Sequence, residues 1–178
     1  MNTLGEQSEM VFLDAEFCEL RYGMQMLSIG MVGSSGEFYA ELDAPSVTRT
    51  MRGAGKQRFV REVVLAYFGR LTGTQHSLDE IAQKAARWLR ACENELIEVA
   101  YDYSVDFTLL ERLLEISDSP LLAQVVPVHV GYLLEDPTGE AAALASWRRT
   151  AEARGLQRHH ALADALALKA RFGAVHGA

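Results

Sequence analysis

Cysteine is scarce: Cys18 and Cys92 are the two in 178 residues. Two cysteines cannot build a disulfide framework, and this pair lacks metal-site spacing. A reducing, intracellular setting is the expectation. Basic charge is also short, with 17 Lys and Arg against 24 Asp and Glu and a formal net charge of −7. That argues against a protein that coats nucleic acid through a general basic surface. It leaves room for a site of carboxylates neutralised by metal ions. No apolar run approaches the roughly 20 residues that span a bilayer. Met1 to Met10 is polar, contains Glu6 and Glu9, and lacks the basic and apolar regions of a secretory leader. The expected location is therefore the cytoplasm, with no membrane partner. Neither an internal repeat nor a long low-complexity linker divides the chain. One domain over 1–178 is expected, long enough to bury a proper core.

The local patterns place strands first and then alternate helices with strands. Met10 to Phe17 alternates, with Val11, Leu13, Ala15 and Phe17 on one face and Phe12, Asp14 and Glu16 on the other. Met26 to Val32 reads as a second strand, Gly33-Ser34-Ser35-Gly36 as a turn, and Glu37 to Leu42 as a third strand. Ala44 to Lys56 reads as polar, basic and irregular, and Arg58 to Arg70 as helical. Ser77 and Glu80 make a capping box for a helix running to about Cys92. Leu96 to Tyr101 is a short strand, followed by a helix from about Val105 to Glu115. Val125 to Leu134 is a further strand. Asp136-Pro137-Thr138-Gly139 leads into an alanine-rich helix to about Arg154, and His160 to Phe172 forms the last helix. The expected class is α/β, with helices flanking a mixed sheet.

Carboxylates carry the chemistry. Asp14 and Glu16 are two apart on a strand, so both point to one face. The opposite face is apolar and belongs to the core, so two charges sit on a mostly buried sheet, which calls for a partner or a metal. Asp102 ends a strand, and Asp106 lies in the first turn of the next helix, where the helix dipole favours a carboxylate. Asp102 and Asp106 also fit a plain turn and helix start. His159 precedes the last helix and Asp164 lies inside it. Five residues along a helix turn two side chains off one face, so the pair shares a site only if His159 stands on the entering loop. A histidine there suits proton transfer near neutral pH. His159 and His160 are not separated by chemistry alone.

The order of these signals resembles the DEDDh 3′–5′ exonuclease superfamily, which includes ribonuclease T, oligoribonuclease and proofreading exonuclease domains. The resemblance spans about Val11 to Phe172. Leu13-Asp14-Ala15-Glu16-Phe17 matches the first motif, and Val99 to Asp106 resembles the second, with Asp102 where the family often has Asn. His159-His160-Ala161-Leu162-Ala163-Asp164-Ala165 is similar to His-x-Ala-x-x-Asp-Ala, a spacing that selects His159 as the base. Ser28 to Val32 and Glu37 to Glu41 are similar to a small bacterial group of 3′–5′ exoribonucleases related to a mycobacterial RNase T-like enzyme.

The resemblance implies an RNase H-like fold with a central five-stranded mixed sheet. It also implies two divalent ions, Mg²⁺ or Mn²⁺, on Asp14, Glu16, Asp106 and Asp164, and a homodimer. The implied substrate is an RNA 3′ end. A 3′–5′ DNA exonuclease and a catalytically silent nucleic-acid-binding module on the same fold are the alternatives. Hard oxygen ligands suit these ions. Two carboxylates about 4 Å apart would otherwise repel by on the order of 4 kcal/mol at an effective dielectric of 20.

Arg49, Arg52, Lys56, Arg58 and Arg61 form a basic run able to meet substrate phosphates, or simply a solvated face. Phe17, Tyr22, Tyr101 and Tyr103 are candidates to stack on bases. Strict alternation puts Phe17 on the core side. Trp88 and Trp147 read as helix-face core anchors, and His129 as a satisfied strand histidine.

Overall fold

The computed structural model describes residues 9–55, 57–92 and 96–177. Within them six strands form one mixed sheet in the order β4-β3-β2-β1-β5-β6. Strands β1 (Glu9–Leu20), β2 (Gly23–Gly33) and β3 (Gly36–Leu42) make the expected antiparallel meander. β5 (Ile97–Tyr101) and β6 (Val125–His129) then add in parallel to the β1 edge. The architecture is α/β, a mixed sheet flanked by helices, and is compatible with an RNase H-like fold.

The sheet has six strands where five were expected. The extra one, β4 (Gln75–His76), pairs in parallel with Glu41 and Leu42. Two residues are too few to show a period of two, so its signal is entirely tertiary. Val125 to Leu134 is not one strand either. β6 stops at His129 opposite Tyr101, the last residue of β5, and Gly131–Glu135 coils into a 3₁₀ turn. A strand with no neighbour left to bond loses its ladder, and the chain turns.

Two layers of helix cover the sheet. On one side Val11, Leu13 and Ala15 share a core with α2 (Leu78–Arg90) and α3 (Ser104–Ile116), through residues such as Ile81, Leu89, Leu110 and Leu113. On the other side Phe12 meets Leu168 and Phe172 of α5 (Ala161–His176), with the Phe12 and Phe172 rings edge to face at 5.4 Å. α4 (Pro137–Arg154) lies against α5, where Trp147 joins Leu162 and Ala165. The capping box predicted for α2 is present in full, with Ser77 and Glu80 serving each other's backbone. Trp88 packs on Phe38 at 6.1 Å between ring centroids, as a core anchor should.

The stretch after β3 is more ordered than its composition suggests. Ala44–Gly53 is a helix, α1, not an irregular loop. Asp43 caps it by accepting the Ser46 N–H at 2.8 Å, and Met51 is buried beneath it. The cap and one buried methionine outweigh a polar composition. Arg58 to Arg70 is not a regular α-helix. It contains a π-helical turn at Val60–Val64 and a 3₁₀ turn at Leu65–Tyr67. Lys56 lies outside the described residues.

Candidate metal centre

Strand β1 sets the floor. Its alternation holds through Ala15, so Asp14 and Glu16 leave the sheet on the side of α5, opposite the Val11–Leu13–Ala15 core. Between Glu16 and Phe17 the pairing with β2 shifts: Glu16 faces Ser28 while Phe17 faces Met26, which leaves Leu27 as the extra residue. Such a bulge re-aims the side chains beyond it. Cys18 becomes the buried core residue, and Phe17 lines the cleft, stacked on Tyr103 at 6.0 Å. Strict alternation had put Phe17 on the core side; the bulge overturns that, although the ring still touches the core.

Three elements complete the cluster. The chain leaves β5 through Asp102 and enters α3, whose first turn carries Asp106, itself only 2% exposed. From the other side comes the N-terminus of α5. Gly30, opposite Asp14 on β2, makes this approach possible. A Cβ at Gly30 would stand 2.5 Å from the backbone of Ala161 and Leu162. Glycine therefore lets the start of α5 lie directly on the sheet, which brings Asp164 over Asp14 and Glu16.

His159 stands on the entering loop, as the spacing required. It holds a left-handed backbone, with φ of 69°, a costly conformation for a residue with a Cβ. The conformation has a use: the His159 N–H donates to Asp164 Oδ2 at 2.8 Å. The indole N–H of Trp147 donates to Asp164 Oδ1 at 2.7 Å. Asp164 is thus held from two sides, and the Phe59 ring meets the His159 imidazole edge-on at 4.9 Å. His160 differs sharply. It is buried, stacked on Tyr39 at 4.3 Å, and neither ring nitrogen has a hydrogen-bond partner. Burial pushes its pKa down to about 4, so it stays neutral. The structure therefore separates the two histidines that chemistry alone did not.

Asp14, Glu16, Asp102, Asp106, His159 and Asp164 line one cleft of about 550 Å³, and His160 does not. Two sets converge within it: Glu16, His159 and Asp164, and Asp14, Asp102 and Asp106. In each set the ligand atoms lie within 4.8 Å of one another. Such acidic groupings could hold a metal ion. Crowding shows in the acidities. Burial, then the charges of Asp164, Asp106, Glu16 and Asp102, hold the Asp14 carboxyl well above the usual range. Burial and then Asp164 push Glu16 up to about 8. Burial and then Asp102 push Asp106 up to about 8, against hydrogen bonding from the backbone of Ala15 and Tyr103. Asp164 rises to about 7, chiefly through burial, with the His159 N–H and Trp147 opposing the rise. His159 is shifted down by burial and then by Arg158.

One atom tests the fit to a cation directly. Asp106 Oδ2 is buried without a hydrogen-bond partner, beside Asp14 and Asp102. A buried, unpaired carboxylate oxygen is costly unless a proton or cation meets it. A set dominated by carboxylate oxygens, with one imidazole at its edge, suits a hard divalent cation.

The other candidates fall elsewhere. Arg49 and Arg52 are exposed on α1 and do not line the cleft. Arg58 pairs with Glu62 at 2.7 Å, also away from it. Tyr22 is 87% exposed outside the cleft, and Tyr101 stacks on Phe107. His129 approaches the Asp102 carbonyl at 3.1 Å. Trp147 is a core residue as expected, yet its N–H on Asp164 was not legible from a helical stripe. Arg158 and Tyr103 also line the cleft. Neither had a spacing signal beyond standing next to His159 and Asp102.

Neither models of known protein families nor curated proteins give a match to this sequence. No helix among the described residues is long and apolar enough to cross a membrane.

Proposed function

We propose that this protein is a metal-dependent 3′–5′ exonuclease of the DEDDh type that releases nucleoside 5′-monophosphates from RNA 3′ ends. The observation that carries the reading is the convergence of Asp14, Glu16, Asp106 and Asp164 with His159 in one cleft. Their raised pKa values mark a set that keeps its full charge only with cations present. Asp14, Glu16, Asp106 and Asp164 would hold two Mg²⁺ or Mn²⁺ ions. When bound, such ions supply a water of lowered pKa and stabilise charge on the leaving 3′ oxygen.

The chain's own residues do the rest. An imidazole nitrogen of His159 takes the proton of the attacking water, and the lowered pKa keeps that nitrogen free to accept it. Asp164 holds the His159 backbone, and Trp147 holds Asp164, so the base and a ligand are positioned as one unit. The choice of RNA rests on the sequence resemblance. The cytoplasm and a homodimer are part of the same proposal.

The decisive experiment degrades a 5′-labelled RNA and its DNA counterpart with Mg²⁺, Mn²⁺ or chelator, using wild type and Asp14→Ala. The expected result is a ladder shortening from the 3′ end of RNA. Chelator should abolish it, and Asp14→Ala should reduce it by at least about 10³-fold. A ladder on DNA alone would change the substrate. Intact oligonucleotides under every metal would end the nuclease reading and leave a binding module.

A further inference from the structure

The cleft poses an electrostatic problem. Its floor carries Asp14, Glu16, Asp102, Asp106 and Asp164, in a chain of net charge −7. A nucleic-acid strand is itself polyanionic, and metal ions on the floor serve the reacting phosphate rather than the strand beside it. Some cation of the protein must meet that strand.

Apart from His159, the cationic side chains lining the cleft are Arg158 and Arg171. Arg171 is committed. It is 4% exposed, donates to the Leu133 carbonyl at 3.1 Å and pairs with Glu140 at 2.7 Å. Arg158 is not. It is exposed and makes no ion pair among the described residues. Its guanidinium lies over the Trp147 ring, 5.4 Å from the centroid. Stacking on an indole fixes the plane of a guanidinium and leaves its in-plane N–H groups open to an anion.

The mounting ties Arg158 to the reaction centre. Trp147, the platform, donates to one oxygen of Asp164, and His159, the next residue in the chain, donates through its N–H to the other. The exposed arginines considered above offer no such placement, since Arg49, Arg52 and Arg58 do not line the cleft.

We propose that Arg158 is the phosphate-binding residue of the cleft, holding by a bidentate contact a strand phosphate beside the reacting one. The inference rests on the nuclease reading and adds to it a residue that sets substrate affinity. The bland role for Arg158 is to cover Trp147, which contributes to stability and leaves substrate binding untouched.

The test is binding of a fluorescent single-stranded oligonucleotide in Ca²⁺ across a range of salt, followed by kinetics in Mn²⁺. Arg158→Gln is expected to weaken binding about ten- to a hundredfold, the scale of a lost charge-assisted hydrogen bond. The log–log salt slope should fall by about 0.7, one phosphate contact on a single strand. KM should rise more than kcat falls. Arg158→Lys should keep the slope but recover only part of the affinity, because an ammonium lacks the planar fork. Arg148→Gln, an exposed change on α4 outside the cleft, should alter neither. Wild-type affinity and slope in Arg158→Gln, with hydrolysis intact in wild type, would overturn this inference alone. Failure of wild type to bind any oligonucleotide would overturn it together with the nuclease reading.

Discussion

Asp14, Glu16, Asp106 and Asp164 come from three elements and are gathered in one cleft, whereas Arg49, Arg52, Arg58 and Arg61 follow one stretch of chain and stay at the surface. Both regions are dense in charge. In the first, burial and mutual repulsion raise the pKa values of the carboxylates. In the second, charges are met cheaply: Arg58 by Glu62 one helical turn away, and Arg61 by the Met51 carbonyl at 2.9 Å. Exposed pairs of this kind contribute little, because water and salt screen them. Charge that folding forces together is therefore the stronger mark of function.

The contrast breaks most visibly at His159. His159→Ala should lower kcat by about 10²- to 10⁴-fold, the usual worth of a positioned base. Divalent-ion binding, followed by calorimetry, should survive in that variant. Unchanged turnover would remove His159 from the reaction and return it to a loop histidine.

Gly30 tests whether the gathering itself matters. Gly30→Ala drives a methyl group against the backbone of Ala161 and Leu162, which no rotamer change relieves. A cost of about 1–3 kcal/mol in stability is expected, as for overpacking in a tight core. At this chain length that is on the order of 2–4 °C in melting temperature per kcal/mol. Activity should fall further than stability does, because Asp164 and His159 move with α5. A variant with wild-type melting and turnover would show that the helix start tolerates a shift.

Much of this arrangement was legible in the sequence. The alternation of β1 put Asp14 and Glu16 together, and the start of α3 gave Asp106. The impossibility of sharing a helix face put His159 on a loop. What escaped depended on distant partners. The Glu16–Phe17 bulge arises from pairing with β2, so Phe17 could not be placed from β1 alone. β4 exists because β3 offers an edge, and β6 ends because β5 does. The bond from Trp147 to Asp164 joins residues 17 apart on two different helices, at no fixed spacing.

The raised pKa values give a signature in stability. A carboxyl whose pKa is higher in the folded chain binds a proton that the unfolded chain has already released. The folded state is then favoured most below the unfolded value near ~4, and that advantage is lost as pH rises towards the folded value. Glu16 and Asp106 set the upper end at about 8, with Asp164 at about 7. Chelator-treated protein should accordingly melt several degrees lower at pH 8 than at pH 5. Saturating Mn²⁺ should restore most of the loss at pH 8, because ligand binding to the folded state alone stabilises it. Asp106→Asn should flatten the profile by removing one buried charge. A profile that rises with pH would mean the carboxylates are relieved within the protein.

The smallest effect is expected in the basic run, and a null result there is informative. Arg49→Gln with Arg52→Gln removes two exposed charges from α1, a helix held by its Asp43 cap and by buried Met51. Neither arginine is needed for the fold, and neither lines the cleft. Oligonucleotide affinity at physiological salt should change within about twofold, since exposed charges beyond a Debye length of roughly 8 Å are screened. At low salt the difference should widen, because the same charges then steer a polyanion towards the acidic face. A drop of tenfold or more at physiological salt would mean that the strand lies across α1. The surface run would then be part of the binding site, and the rule drawn from the buried carboxylates would not extend to the cations of this protein.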